Sequence, residues 1–183
     1  MRRLLSALLV ITIVPALTNA QAAPTVAIIV RHAEKGTTPA NDPPLTDAGT
    51  ARAKALAAAL VNANVQSVIT TQLLRTKDTG KPTAESRGLT METVPVSGAV
   101  AEHAKAVADA VRKHAGRTVL VVGHSNTVTQ IIAALGGPRM PDLCDSQYSN
   151  FYTVVIDGAS ARVVQSTYGA PSPDVATGCP AMK

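Results

Sequence analysis

Two histidines, His32 and His124, each follow directly on a run of aliphatic residues, Val26-Ala27-Ile28-Ile29-Val30-Arg31-His32 and Val119-Leu120-Val121-Val122-Gly123-His124. A neutral imidazole can attack as a nucleophile, and a guanidinium holds an oxyanion through paired hydrogen bonds while keeping its charge. A phosphate monoester dianion repels anionic nucleophiles, so a histidine beside an arginine suits phosphoryl chemistry. The charge of Arg31 should also favour the unprotonated form of His32. A second arginine, Arg75, falls where a short strand pattern turns into a helix. In a first helical turn it would stand beside free backbone N–H groups and the positive end of the helix dipole. Taken alone, an arginine in that place is more often solvated or ion-paired.

The elements that must position these residues are legible as patterns. Five consecutive aliphatic residues bounded by Pro24 and Gly36 predict a strand buried on both faces, and 119–122 repeats the construction. In an open α/β sheet, ligands bind at the carboxyl ends of strands, where both histidines fall. Shorter strands are predicted at 65–70 and 91–96. A proline-rich loop spans 36–44, and Thr46 reads as the N-cap of an alanine-rich helix over 47–62. A second helix should start at the 71–76 turn and break or kink at Gly80 and Pro82 before Arg87-Gly88 ends it. A third is predicted over 100–114, with Val107 and Val111 on one face. His103 and His114 read there as surface or capping residues. A fourth begins at Asn126-Thr127 and ends at Leu135-Gly136-Gly137, its amino end again facing the proposed anion. Segments 151–156 and 161–166 around Asp157-Gly158-Ala159-Ser160 read as a hairpin on the sheet edge. The tail after Gly169 is irregular.

Arg31-His32, the arginine of Leu74-Arg75-Thr76, the late Gly123-His124 and the helix opening Leu45-Thr46-Asp47-Ala48-Gly49 together resemble the histidine phosphatase (phosphoglycerate mutase-like) superfamily. The resemblance runs from Val26 to about Tyr168. It implies a three-layer α/β/α sandwich with a mostly parallel central sheet. It implies His32 as nucleophile, Arg31, Arg75, His124 and Ser125 around the phosphate, and no cofactor or metal. Two positions depart from the family's usual pattern. Ala33 replaces the common glycine and narrows the room beside His32. Ser125 stands where the acid-phosphatase and phytase branch has an aspartate, which points to the mutase-like branch of small phosphatases and leaves the proton donor unassigned. In relatives with a catalytic acid between the second arginine and the second histidine, that acid falls near Glu102. A glutamate in a first helical turn also needs no catalysis to explain it. Glu34 competes for the same role.

Met1-Arg2-Arg3, the apolar stretch from Leu4 to Leu17 and Ala20-Gln21-Ala22 predict a cleaved signal peptide over 1–22, with 23–183 as one domain. A retained membrane anchor is the alternative reading of that stretch. The expected location is periplasmic or secreted, with no membrane contact after cleavage. Without Arg2 and Arg3, 15 basic residues face 12 acidic ones, a net charge of +3. With no basic cluster beyond pairs, one Phe, three Tyr and no Trp, there is little to bind nucleic acid. About 160 residues, rich in Ala and Val, suffice for one core. The two cysteines, Cys144 and Cys179, read in an exported chain as a disulfide contributing about 3 to 4 kcal/mol on the chain-entropy account.

The expected activity is metal-independent hydrolysis of a small phosphorylated substrate through a phosphohistidine on His32. Phosphosugars, envelope-polysaccharide phosphates and phosphoproteins all fit this chemistry. A binding module that retains phosphate without turnover, and a phosphomutase, are the competing readings. The pocket should be shaped by the 36–44 loop, the 97–102 segment and the 139–148 loop.

Overall fold

The computed structural model describes residues 23–158 and 160–172. It contains six strands, β1 (Thr25–Arg31), β2 (Val65–Thr70), β3 (Met91–Thr93), β4 (Thr118–Gly123), β5 (Asn150–Asp157) and β6 (Ser160–Thr167). Four helices accompany them, α1 (Asp47–Ala59), α2 (Leu74–Glu85), α3 (Val100–Arg112) and α4 (Val128–Ala134). The strands form one sheet in the order β3-β2-β4-β1-β5-β6. β3, β2, β4 and β1 run parallel, and the β5–β6 hairpin adds the antiparallel edge. None of the described helices is long and apolar enough to cross a membrane.

The aliphatic runs form central strands because side chains alternate across a sheet and both faces here are covered. Ala27, Ile29, Val119 and Val121 point into a core shared with Val107 and Val111 of α3 and Val128, Ile131 and Ile132 of α4. Ile28, Val30, Leu120 and Val122 point the other way, against Leu56 of α1 and Ala84 of α2. The result is a three-layer α/β/α sandwich with a helix pair on each face.

Three expected boundaries differ. Helix α2 runs through Pro82 without breaking. The ring removes one N–H near the carboxyl end, but Thr79, Gly80, Thr83 and Ala84 stay buried and the Pro82 carbonyl still accepts from Ser86 N–H at 3.2 Å. Strand β3 stops at Thr93 because Pro95 has no donor for a ladder and the Val96 N–H turns instead to Gln72 Oε1, 2.8 Å away. Helix α4 starts two residues late, at Val128, because the Thr127 hydroxyl is taken up by the His124 N–H at 2.8 Å.

Thr46 caps α1 as expected, its side chain accepting from Gly49 N–H at 3.1 Å. A Cβ on Gly49 would overlap the Glu34 carbonyl oxygen, so only glycine lets this first turn sit against the exit of β1.

Candidate active site

The register of β1 and β4 brings the two histidines together. Arg31 pairs with Gly123, and the His32 N–H donates to the Gly123 carbonyl at 2.9 Å. His32 and His124 therefore leave adjacent strand ends side by side, with ring centroids 5.4 Å apart and planes at 63°. A Cβ on Gly123 would come 2.9 Å from Thr127 Oγ1, so a bare backbone is what allows the turn after β4 to close.

A cleft of about 400 Å³ opens above these strand ends. Arg31, His32, Arg75, His124 and Ser125 all line it. His32 Nδ1 lies 2.8 Å from the Ala33 carbonyl. A carbonyl can only accept, so Nδ1 carries the proton and Nε2 keeps its lone pair. His124 Nε2 lies 3.3 Å from Thr71 Oγ1, which lies 2.9 Å from Thr76 Oγ1. Burial, reinforced by Arg31, His124 and Arg75, pushes the His32 pKa down to about 3 against the lift from the Ala33 carbonyl. Burial, with Arg75, His103 and Arg31, likewise brings His124 to about 3. Both imidazoles are thus neutral at ordinary pH.

The two arginines are held from behind. Arg31 is 3% exposed. Its Nη1 donates to the carbonyls of Cys144 (2.8 Å), Asp145 (2.9 Å) and Gln147 (3.4 Å). Nη2 reaches Asp145 Oδ1 at 3.3 Å, and the guanidinium carbon sits 4.1 Å from the centre of the Tyr148 ring. Arg75 Nη1 lies 3.7 Å from Asp42 Oδ1. The Nε atoms of both arginines are buried without a partner in the protein. Buried donors are expensive to leave unpaired, so two of them at one cleft fit an oxyanion ligand.

The structure corrects the picture of helix amino ends waiting for an anion. The Asp42 carboxylate already accepts from the Leu74 N–H at 3.0 and 3.2 Å, so α2 is capped by the chain itself. Ahead of the short α4, the N–H groups of Thr127 and Val128 both donate to the His124 carbonyl. Formal positive charge at the cleft comes from Arg31, Arg75 and Lys35.

The two carboxylates considered for the proton donor both hold other hydrogen bonds. Glu102 Oε2 lies beside Gly98 at the edge of the cleft and accepts from the Ala99 N–H at 3.2 Å, capping α3. Glu34 receives Nε and Nη2 of Arg52 at 2.7 to 3.0 Å. Burial would raise the Glu34 pKa, but this pairing holds it below the usual carboxylate range. Ala33 is fully buried, its N–H donating to Thr79 Oγ1 at 2.9 Å.

Sequence reasoning missed several lining residues. His103, expected at the surface, is 2% exposed. Its Nδ1 donates to the Pro95 carbonyl at 3.1 Å and its Nε2 has no partner. The signal was present: 103, 107 and 111 share one helical face. His114 does sit near a surface, bridging Glu92 Oε2 at 3.0 Å and Ser67 Oγ at 3.2 Å. Lys35, Asn126, Thr127 and Asp145 complete the polar lining. Of the three segments expected to shape the pocket, 97–102 supplies Gly98 and Val100 and 139–148 supplies Asp145, whereas 36–44 contributes through Asp42 behind Arg75. No group of three or more His, Cys, Asp or Glu that could hold a metal stands together among the described residues. Cys179 and the signal segment 1–22 lie outside the described residues; Cys144 is buried in the loop that grips Arg31.

Residues 27–96 match the histidine phosphatase superfamily (branch 1). A search of curated proteins finds no match. Among solved structures, the protein histidine phosphatase SixA complexed with tungstate is 20% identical, with a TM-score of 0.63, over 78% of this chain and 96% of that one. YhfR from Bacillus stearothermophilus is 19% identical at a TM-score of 0.63, over 76% and 95%. A mycobacterial glucosyl-3-phosphoglycerate phosphatase is 16% identical at 0.59, over 80% and 99%. The chain shares the fold of these solved structures, and residues 27–96 carry the histidine phosphatase sequence pattern.

Proposed function

We propose that this chain is an exported phosphomonoester hydrolase that acts without metal through a phosphohistidine on His32. The observation that carries the reading is the tautomer of His32. With Nδ1–H committed to the Ala33 carbonyl, the Nε2 lone pair is the nucleophile, in a cleft lined by Arg31, Arg75 and His124. Nε2 forms a bond to phosphorus as the bond to the leaving oxygen breaks, and that oxygen takes up a proton from water, whose hydroxide is consumed when the phosphohistidine is hydrolysed. The guanidinium groups hold the equatorial oxygens, and His124, steadied by Thr71, contacts the phosphoryl group. Ser125, buried beside His124 in the lining, adds a polar contact to the phosphate. Water then attacks phosphorus, the N–P bond breaks, and phosphate leaves with His32 restored. The tungstate complex of SixA, an oxyanion bound by a protein of the same fold, supports a phosphate site.

Export rests on the composition of 1–22, and a periplasmic or secreted location carries with it a Cys144–Cys179 disulfide. The same reading has no nucleic-acid partner and no membrane contact after cleavage.

One observation favours a second reading, a module that binds phosphate without turnover. Asp145 pairs with Arg31, Glu34 with Arg52 and Glu102 with a backbone N–H, so each nearby carboxylate is already engaged. Phosphate release from p-nitrophenyl phosphate in EDTA, for the native chain and His32→Ala, separates the two. Turnover lost in the variant supports the hydrolase. Equal turnover in both removes His32 from the mechanism, and phosphate binding without turnover in either selects the binding module.

A further inference from the structure

The catalytic cleft is not polar throughout. Leu73, Val96 and Val100 line it together with the arginines and histidines. Val96 and Val100 are each 38% exposed, among the few large apolar side chains left open to solvent in the described residues. Single exposed valines are ordinary, but two on one cleft beside Leu73 form a lip next to the reacting phosphate.

This lip is built rather than loose. The Val96 N–H is held by Gln72 Oε1 at 2.8 Å, tying it to the turn that carries Leu73 and Arg75. The Val94 N–H donates to the Thr70 carbonyl at 2.9 Å, anchoring the segment to β2. Glu102 caps the Ala99 N–H at the start of α3, fixing Val100 at the helix's first position. Gln72, Thr70 and Glu102 thus hold apolar side chains in water at a site whose other lining is mostly polar or charged.

We infer that the lip receives the leaving group, so that the preferred substrate is a phosphomonoester whose alcohol or phenol is apolar next to the phosphate, with Leu73, Val96 and Val100 setting specificity. This rests on the hydrolase reading of the same cleft. An alkyl or aryl group there would cover the three side chains while the phosphoryl group meets Arg31 and Arg75. A polyhydroxylated leaving group would lose water against the same lip without recovering hydrogen bonds from it.

The test is a homologous series of n-alkyl phosphates, methyl to butyl, whose leaving alcohols are chemically alike, alongside glycerol 2-phosphate. The expected kcat/KM rises by about fourfold per added methylene until the lip is covered. Val96→Ser and Val100→Ser, singly and together, should flatten the series, with inhibition by inorganic phosphate as the check that the site is formed. A flat series in the native protein, or glycerol 2-phosphate turned over as well as propyl phosphate, overturns the inference. Should no compound turn over, the hydrolase reading fails instead. Displacement of bound phosphate by the same series then decides, a chain-length trend supporting the lip and a flat response overturning it.

Discussion

The carboxylate of Asp42 sits on the backbone N–H of Leu74 and 3.7 Å from Nη1 of Arg75. It does two things at once, capping α2 and neutralising part of the charge an incoming phosphate would use. Asp42→Asn keeps an acceptor for the Leu74 N–H and removes the charge. Phosphate should then inhibit at lower concentration, because Arg75 no longer shares its charge with a neighbouring carboxylate. Asp42→Ala removes the cap as well and should cost about 1 kcal/mol in denaturant unfolding. Unchanged phosphate inhibition in the asparagine variant would show that Asp42 does not compete.

Stability should fall in mild acid because two buried histidines are neutral in the folded state. In the unfolded chain each has a pKa of about 6.5, whereas the folded values are about 3. Between those limits the unfolded state binds more protons, so stability is full above the unfolded value and drops as pH falls towards 3. The slope is about 1.4 kcal/mol per pH unit for each histidine. Unfolding curves at pH 7.0, 5.5 and 4.5 measure it. His32→Gln should reduce the slope by up to one proton, and an identical slope in the variant would contradict the assignment.

Glu102 should behave as a helix cap. Glu102→Gln retains an oxygen acceptor for the Ala99 N–H, so the pH profile of kcat on p-nitrophenyl phosphate should stay in place. Glu102→Ala should lower stability by roughly 0.5 to 1 kcal/mol and loosen the lip at Val100. A lost basic limb in the glutamine variant would restore Glu102 as the proton donor.

Arg52 is 5% exposed and carries its charge against Glu34, with Nη1 donating to the carbonyls of Tyr168 (3.2 Å) and Ala170 (2.9 Å). Glu34→Gln leaves that guanidinium without its counter-charge, and breaking a largely buried pair costs about 2 to 4 kcal/mol. The variant should melt several degrees lower and keep its affinity for phosphate. A loss of turnover at unchanged stability would instead place Glu34 in the chemistry.

Much of this was readable along the chain. Continuous runs such as Val26–Val30 can satisfy both faces only as central strands, and a polar residue at the end of such a strand has nowhere to go but the sheet's carboxyl edge. That fixed His32 and His124 as neighbours in kind, and the Thr46 cap and the 150–167 hairpin follow from equally local chemistry. What local patterns could not settle is which charge meets which. Asp42 and Leu74 are separated by 32 residues and Arg31 and Cys144 by 113, and those pairings exist only once the sheet order and the β1–β4 register are set. The same holds for Glu102 and His103. Adjacent in sequence at the start of one helix, they project in different directions, so the packing of α3 on the sheet turned the carboxylate to the backbone and buried the imidazole at the cleft. Residue type and spacing determined what chemistry was available; the tertiary structure decided which side chains were already spent on holding the fold and which remained for a ligand.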